Sequence, residues 1–282
     1  MTSGTDPEAN LAAIANAAAA ARRAGAAMLF LPEMALLLDR DRARSAAHIT
    51  TEADSPWPAR LGAIAAATRL WVHAGSAPFA SADGTRRVNR SLVFAPDGAL
   101  MARYDKIHMF DVDLPTGEHW RESAVYDGGE RLALVDTPAG RLGLSICFDL
   151  RFPEIYTALA AAGASLIAIP AAFTVSTGSA HWHVLMRARA IETECFIVAA
   201  AQCGLHADGR QTYGHTLVVD PWGRIIAEAN AGTAPQRDGA AIIVADLDTD
   251  AVAAARAAIP LDRSRNARRW DAITGDQGTR RR

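Results

Sequence analysis

Gly143-Leu-Ser-Ile-Cys147-Phe-Asp-Leu-Arg151-Phe-Pro-Glu154 joins two kinds of patterning in one short stretch. Upstream, Arg141 to Ile146 reads as a buried strand, and downstream Pro153 to Ala162 reads as a helix with proline at its first position. A strand that runs into a loop and then a helix is the repeating unit of layered α/β proteins. Cys147 stands at the junction. The strand would fix its thiol, and unpaired backbone N–H groups at such a turn can hold an oxyanion. Position alone leaves open the commoner role of a lone cysteine, a small buried hydrophobe.

The alternation continues in both directions. Leu11 to Arg23 is an Ala-rich helix, with Asp6 as N-cap and Pro7 at its first position. Ala26 to Leu31 is a strand stopped by Pro32, Pro58 to Arg69 a helix, and Leu70 to Gly75 a strand. Asn89 to Ala95 and Leu100 to Tyr104 flank Pro96-Asp97-Gly98 as a hairpin, and Arg131 to Asp136 pairs in the same way with Arg141 to Ile146. Further on come a strand at Ser165 to Ile169, a helix at Ser179 to Glu194 and a strand at Cys195 to Ala201. A third hairpin, Thr212 to Val219 with Arg224 to Glu228, precedes a strand at Ala240 to Leu247 and a helix at Thr249 to Ala258. Helices alternating with single strands and hairpins imply mixed sheets covered by helices. With no internal repeat and no Gly/Ser linker, residues 1–282 are expected to form one domain, and residues 260–282 a polar tail, loose or laid over another subunit.

The chain has 282 residues and a formal net charge of -2, with both signs interspersed, which gives no electrostatic reason to expect nucleic acid or an anionic membrane. A chain of this length buries enough surface to stand without staples. No apolar run reaches the roughly 20 residues that span a bilayer, and the N-terminus shows no secretory pattern. Cysteines at 147, 195 and 203 lack C-x-x-C spacing and leave an odd thiol, which argues against disulfides or a zinc site. A cytoplasmic location is the expectation.

A cysteine nucleophile needs help, because a thiol with its ordinary pKa near 8.5 is mostly protonated at neutral pH. None of the eight histidines sits where it is singled out, and His181 and His183, two apart on a helix, read as packing residues. A carboxylate base with a lysine as local positive charge is another route. Glu33 directly follows the buried strand Leu29-Phe30-Leu31-Pro32, and Lys106 ends a hairpin strand. Lys106 is the only lysine in a chain that otherwise uses arginine for every cation. A compact ammonium with a shiftable pKa suits catalysis better than a guanidinium.

Taken together, Leu-Phe-Leu-Pro-Glu33, Tyr-Asp-Lys106-Ile-His and Gly-Leu-Ser-Ile-Cys147-Phe-Asp-Leu-Arg-Phe-Pro-Glu resemble the Glu, Lys and Cys motifs of the nitrilase superfamily. They stand in the family's order, and the resemblance runs from Asp6 to about Trp270. It implies a four-layer α-β-β-α sandwich with two mixed sheets. It also implies a Glu-Lys-Cys amidase that works through a cysteine thioester, with no metal and no organic cofactor. Trp-Arg-Glu122-Ser matches the family's second glutamate, with Glu118 a nearby rival that reads as a loop carboxylate. Phe148 supplies an oxyanion N–H in this picture, and Arg151, Phe173 and Thr174 are the expected substrate-side residues. Arg151 has the alternative role of bracing its loop through an ion pair.

Finer stretches, Ala180-His-Trp-His-Val-Leu-Met-Arg-Ala-Arg-Ala-Ile-Glu-Thr and Tyr213-Gly-His-Thr-Leu-Val-Val-Asp-Pro-Trp-Gly, look like the branch that includes deaminated glutathione amidase. That branch implies a small amide substrate carrying carboxylates, split to 2-oxoglutarate and Cys-Gly, and a homodimer or higher oligomer. The alternatives are ω-amidase, a carbamoyl-amine hydrolase, a nitrilase, or a nitrilase-like scaffold kept for interaction. A serine hydrolase built on Ser145 is a further rival, but its surroundings lack the second glycine of a G-x-S-x-G elbow. In one respect the chain departs from the family. Relatives begin with an apolar strand where this chain has Met1-Thr-Ser-Gly-Thr-Asp6, so the first strand is expected to be absent and the natural chain to start upstream.

Overall fold

A computed structural model describes residues 1–115, 117–229 and 242–261 of the chain. Helix α1 (Pro7–Arg23) starts where Asp6 accepts the Glu8 N–H at 2.9 Å, with Pro7 at the first helical position. Leu11, Ile14, Ala18 and Ala21 form its buried stripe. It packs on α3 (Trp57–Thr68), which follows the short α2 (Arg42–Ala46).

The first sheet has five strands: β1 (Met28–Phe30), β2 (Trp71–His73), β3 (Ala77–Ala80), β4 (Arg87–Phe94) and β5 (Leu100–Asp105). β1 and β2 are parallel, and β4 pairs antiparallel with β2 and β3 along one edge and with β5 along the other. The β4–β5 turn is the expected Pro96-Asp97-Gly98. Gly98 has φ 88°, and a Cβ there would approach the Gly62 carbonyl oxygen to 2.8 Å, so glycine is required twice over.

A small hairpin of β6 (Asp111–Asp113) and β7 (His119–Arg121) leads to β8 (Leu134–Thr137), β9 (Gly140–Leu144), α4 (Pro153–Ala161) and β10 (Leu166–Ala168). Then come α5 (Val175–Thr193), β11 (Phe196–Ala199), a hairpin of β12 (Cys203–Leu205) and β13 (Gln211–Tyr213), β14 (Leu217–Val219), β15 (Ile225–Glu228) and α6 (Asp250–Ala258). The second sheet runs in the order β15-β14-β11-β10-β9-β8 and is mixed, with β9, β10 and β11 parallel and the outer pairs antiparallel.

Alternation along the strands fixes the layers. Leu92 and Phe94 of β4 pack into one core with α1 and α3, while Val93 between them packs into the other core with the second sheet, α4 and α5. Leu29 of β1 divides in the same way from Met28 and Phe30. The result is helices, sheet, sheet, helices, which is the expected four-layer order.

Several expectations need correction. β3 was not foreseen because Pro78 interrupts it, and proline confines a strand to an edge, which is where β3 lies. The run Thr212 to Val219 is two strands, since Gly214 and His215 have φ of 79° and 58° and break the ladder between them. α5 starts at Val175, one turn before the expected Ser179, because Thr174 caps it. The described part of the Ala240 to Leu247 segment, residues 242–247, is not a strand. It borders a cleft of about 370 Å³ whose other wall includes Met28 to Pro32, so it faces space where a ladder partner would be needed. Of the expected polar tail, everything after Leu261 lies outside the described residues. No helix among the described residues is long and apolar enough to cross a membrane.

Candidate active site

Four chain segments meet at one point between the sheets. Beyond the end of β1 the ladder continues for one residue, with the Leu31 N–H donating to the His73 carbonyl at 3.0 Å. The next turn is pinned by Ser76, which donates to the Pro32 carbonyl and accepts from the Met34 N–H. Gly75 beside it has φ 66°, and any Cβ there would collide with the Pro32 carbonyl. This close seam delivers Glu33, 5% exposed, to the interior.

Lys106 leaves the end of β5, where its N–H donates to the Asn89 carbonyl at 2.9 Å. Its ammonium lies 3.2 Å from Glu33 Oε1 and 3.0 and 2.8 Å from the two oxygens of Glu122. The lone lysine is therefore held between two glutamates and is 2% exposed. Burial alone would discharge it, but Glu122 and Glu33 outweigh that cost and hold the amine well above its ordinary pKa. Asn89 Nδ2 and the Ala172 N–H each donate to Glu33 at 2.9 Å, and the Phe110 N–H donates to Glu122 at 2.7 Å. Both carboxylates are thus fixed in position.

Cys147 follows β9 and opens a single helical turn, Cys147–Arg151, with its N–H on the Pro170 carbonyl at 2.9 Å. Its φ of 47° is uncommon for a residue with a side chain, and strain of this kind gathers at functional turns. Burial is the main cause that pushes its thiol well above the ordinary range. Glu33 adds to this by repelling the thiolate and accepting the S–H, while Lys106 opposes it. The thiol is therefore protonated at rest, with a base already on its hydrogen.

Asp149 shapes the turn and was not singled out by the sequence. Its carboxyl is fully buried and accepts from Tyr104 Oη at 2.7 Å and from the N–H groups of Ile146 and His108 at 2.9 Å. Asn89 was missed for a similar reason, since both are buried polar residues whose partners lie far along the chain. Such residues become visible only when their partners are known.

These groups open into a cavity of about 830 Å³, within the range of ligand pockets. Glu33, Lys106, Cys147, Glu122, Phe148, Arg151, Phe173 and Thr174 all line it. Arg151 departs from one expectation. Among the described residues it makes no ion pair; its guanidinium lies 5.7 Å from the Phe148 ring centroid and 5.6 Å from that of Phe173, beside His181 Nδ1 at 3.3 Å. Thr174 spends its hydroxyl on capping α5. Glu118 is part of the cavity wall and bonds Ser176 at 3.4 Å, whereas Glu122 holds Lys106. Ser145 is fully buried outside the cavity, bonded to Tyr156 Oη and the Ala168 carbonyl at 2.9 Å each, which removes the serine alternative.

The carbon-nitrogen hydrolase family profile matches residues 1–257. The chain belongs to the carbon–nitrogen hydrolase family. This hydrolase is 46% identical over 206 residues to deaminated glutathione amidase of Yersinia enterocolitica, covering 72% of each chain. It is 39% identical over 236 residues to the human deaminated glutathione amidase, covering 82% of this chain and 72% of that one. Among solved structures, the Caenorhabditis elegans NitFhit protein superposes with a TM-score of 0.82 at 35% identity, over 97% of this chain and 64% of that one. Saccharomyces cerevisiae Nit3, a member of branch 10 of the nitrilase superfamily, gives 0.79 at 30% identity over 93% and 92%. An amidase from Nesterenkonia sp. AN1, with acrylamide added at its active-site cysteine, gives 0.70 at 26% identity over 82% and 86%. The fold and family expected from the three motifs are therefore both found.

Proposed function

We propose that this hydrolase is a thiol amidase that splits deaminated glutathione into 2-oxoglutarate and Cys-Gly. The observation that carries the reading is the convergence of Glu33, Lys106 and Cys147 on one cavity, with the ammonium 3.2 Å from Glu33 and 2.8 Å from Glu122. Glu33 takes the Cys147 proton as sulfur attacks the amide carbonyl. The oxyanion forms against Lys106 and the backbone N–H of Phe148, at the open end of the helical turn. The amine departs with the proton from Glu33 and leaves a thioester. Glu33 then takes a proton from water, the hydroxide releases the acid from sulfur, and Glu33 returns that proton to Cys147. Glu122 keeps Lys106 charged and aimed.

A substrate with carboxylates suits the cavity walls. Arg40, Arg42, Arg87 and Arg151 line the cavity, and none of them makes an ion pair among the described residues. Guanidinium groups without a carboxylate partner are suited to an anionic ligand. The relatives named above support the choice among amides. The deciding measurement compares kcat/KM for deaminated glutathione and for 2-oxoglutaramate. Faster turnover of deaminated glutathione is expected, and faster turnover of 2-oxoglutaramate would make the protein an ω-amidase instead.

The reading includes a cytoplasmic homodimer or higher oligomer. The free state of Cys147, Cys195 and Cys203 supports a reducing compartment. Self-association is supported by an exposed apolar patch where α5 meets the β14–β15 turn. Val184 is 68% exposed, Ile191 48% and Trp222 54%. Arg187 on the same helix face donates to the Gly223 carbonyl at 2.7 Å, so these residues lie together.

A further inference from the structure

The sequence reading gave His183 a packing role and His215 none at all. In the fold they meet Glu228 where α5 packs near β14 and β15, and none of the three lines the catalytic cavity. His183 Nε2 lies 2.9 Å and His215 Nδ1 2.8 Å from the same oxygen, Glu228 Oε1. All three donor atoms lie within 4.8 Å of one another, and the three side chains are only part-buried.

We propose that His183, His215 and Glu228 form a site for a divalent transition metal, with zinc the best-suited ion, which clips α5 to the β14–β15 hairpin. Two imidazoles and one carboxylate are the donor set that such ions favour. Metal–ligand bonds of about 2.0–2.1 Å place tetrahedral ligand atoms about 3.4 Å apart, so small side-chain rotations from the observed positions suffice. Water would complete the fourth position.

The backbone around the site is built to hold the rings. His215 sits at φ 58°, a region that costs a residue with a side chain, and its carbonyl accepts from Trp182 Nε1 at 2.8 Å. Tyr213 stacks on the His215 ring at 4.4 Å, and the His183 ring meets it edge-on at 5.3 Å. Without metal, each imidazole donates an N–H to the carboxylate. On binding, both rings change tautomer through solvent, the proton moving from His183 Nε2 to Nδ1 and from His215 Nδ1 to Nε2, and the two freed lone pairs ligate the ion. Because α5 begins at Thr174 on the cavity wall, the clip would brace the helix that carries one side of the active site.

The test is a titration of chelator-treated full-length protein with Zn²⁺ by calorimetry near pH 7.5, and with Co²⁺ by visible absorption. One ion per chain is expected, with a Co²⁺ spectrum of nitrogen and oxygen ligation and a rise in melting temperature on adding Zn²⁺. His183→Ala and Glu228→Gln should weaken binding by roughly 10-fold or more, while Cys147→Ala leaves it unchanged. Absence of stoichiometric zinc binding by the unaltered protein overturns the proposal, whatever the variants do. So does binding that survives His183→Ala and Glu228→Gln but shows thiolate ligation or is lost in Cys147→Ala.

Discussion

At the scale of single residues, Glu33 and Cys147 make a prediction in which two readouts move in opposite directions. Glu33 raises the thiol pKa by repelling the thiolate and accepting its proton, yet in the proposed mechanism it is also the base. In Glu33→Gln the repulsion disappears while Lys106 keeps its charge. The thiol pKa falls, and iodoacetamide alkylates Cys147 faster at pH 8 than in the unaltered enzyme. Amide turnover meanwhile drops by about 10²–10⁴-fold. Slower alkylation in the variant would refute this account of the thiol. Lys106→Arg keeps the charge but brings a planar fork to a place where one nitrogen lies 3.2 and 2.8 Å from two carboxylates. The expected loss in kcat is about 100-fold or more; a variant with near-normal kcat in stopped-flow turnover would show that only the charge matters.

Elements explain why these side chains meet. The strand–turn–helix unit around Cys147 depends on Asp149, whose buried carboxyl ties the turn to β5 through Tyr104 and to the following loop through His108. Asp149→Ala leaves several buried donors without acceptors, and a loss of roughly 3 kcal/mol is expected from urea unfolding. An unchanged urea midpoint would remove Asp149 from the account of the turn. Much at this scale was legible in the sequence. Asp6 and Pro7 mark the start of α1, and Pro96-Asp97-Gly98 marks the β4–β5 turn, because caps and turns are set by local chemistry. β3 and the break at Gly214-His215 were not legible, since a strand is defined by its neighbours rather than by its own residues.

For the whole molecule, acid stability and the proposed self-association are tested at groups away from the active site. His73 in β2 is fully buried, and loss of hydration lowers its pKa from 6.5 to about 3. Below pH 6.5 the unfolded chain takes up a proton that the folded chain refuses, so stability is full above that pH and falls as pH drops toward 3. By pH 5 the loss is about 2 kcal/mol from this group. Urea midpoints at pH 7 and pH 5 should therefore differ less in His73→Gln than in the unaltered protein, and equal differences would contradict the assignment. The exposed apolar patch predicts that Trp222→Asp shifts the light-scattering mass toward the monomer. An unshifted mass would place the subunit interface elsewhere.

The sequence by itself determined the family and put forward Glu33, Lys106, Cys147 and Glu122 as candidates, because each sits in a motif whose local setting is written in neighbouring residues. It also determined the alternation of strands and helices, since burial patterning and caps are local. Tertiary structure alone decided which glutamate holds Lys106 and how Asn89, Phe110 and Ala172 fix the two carboxylates. It also decided that Arg151 rests on aromatic rings instead of an acid, and that His183, His215 and Glu228 converge. The reason is physical. A buried polar group is specified by partners that arrive from far along the chain, and no local pattern records them.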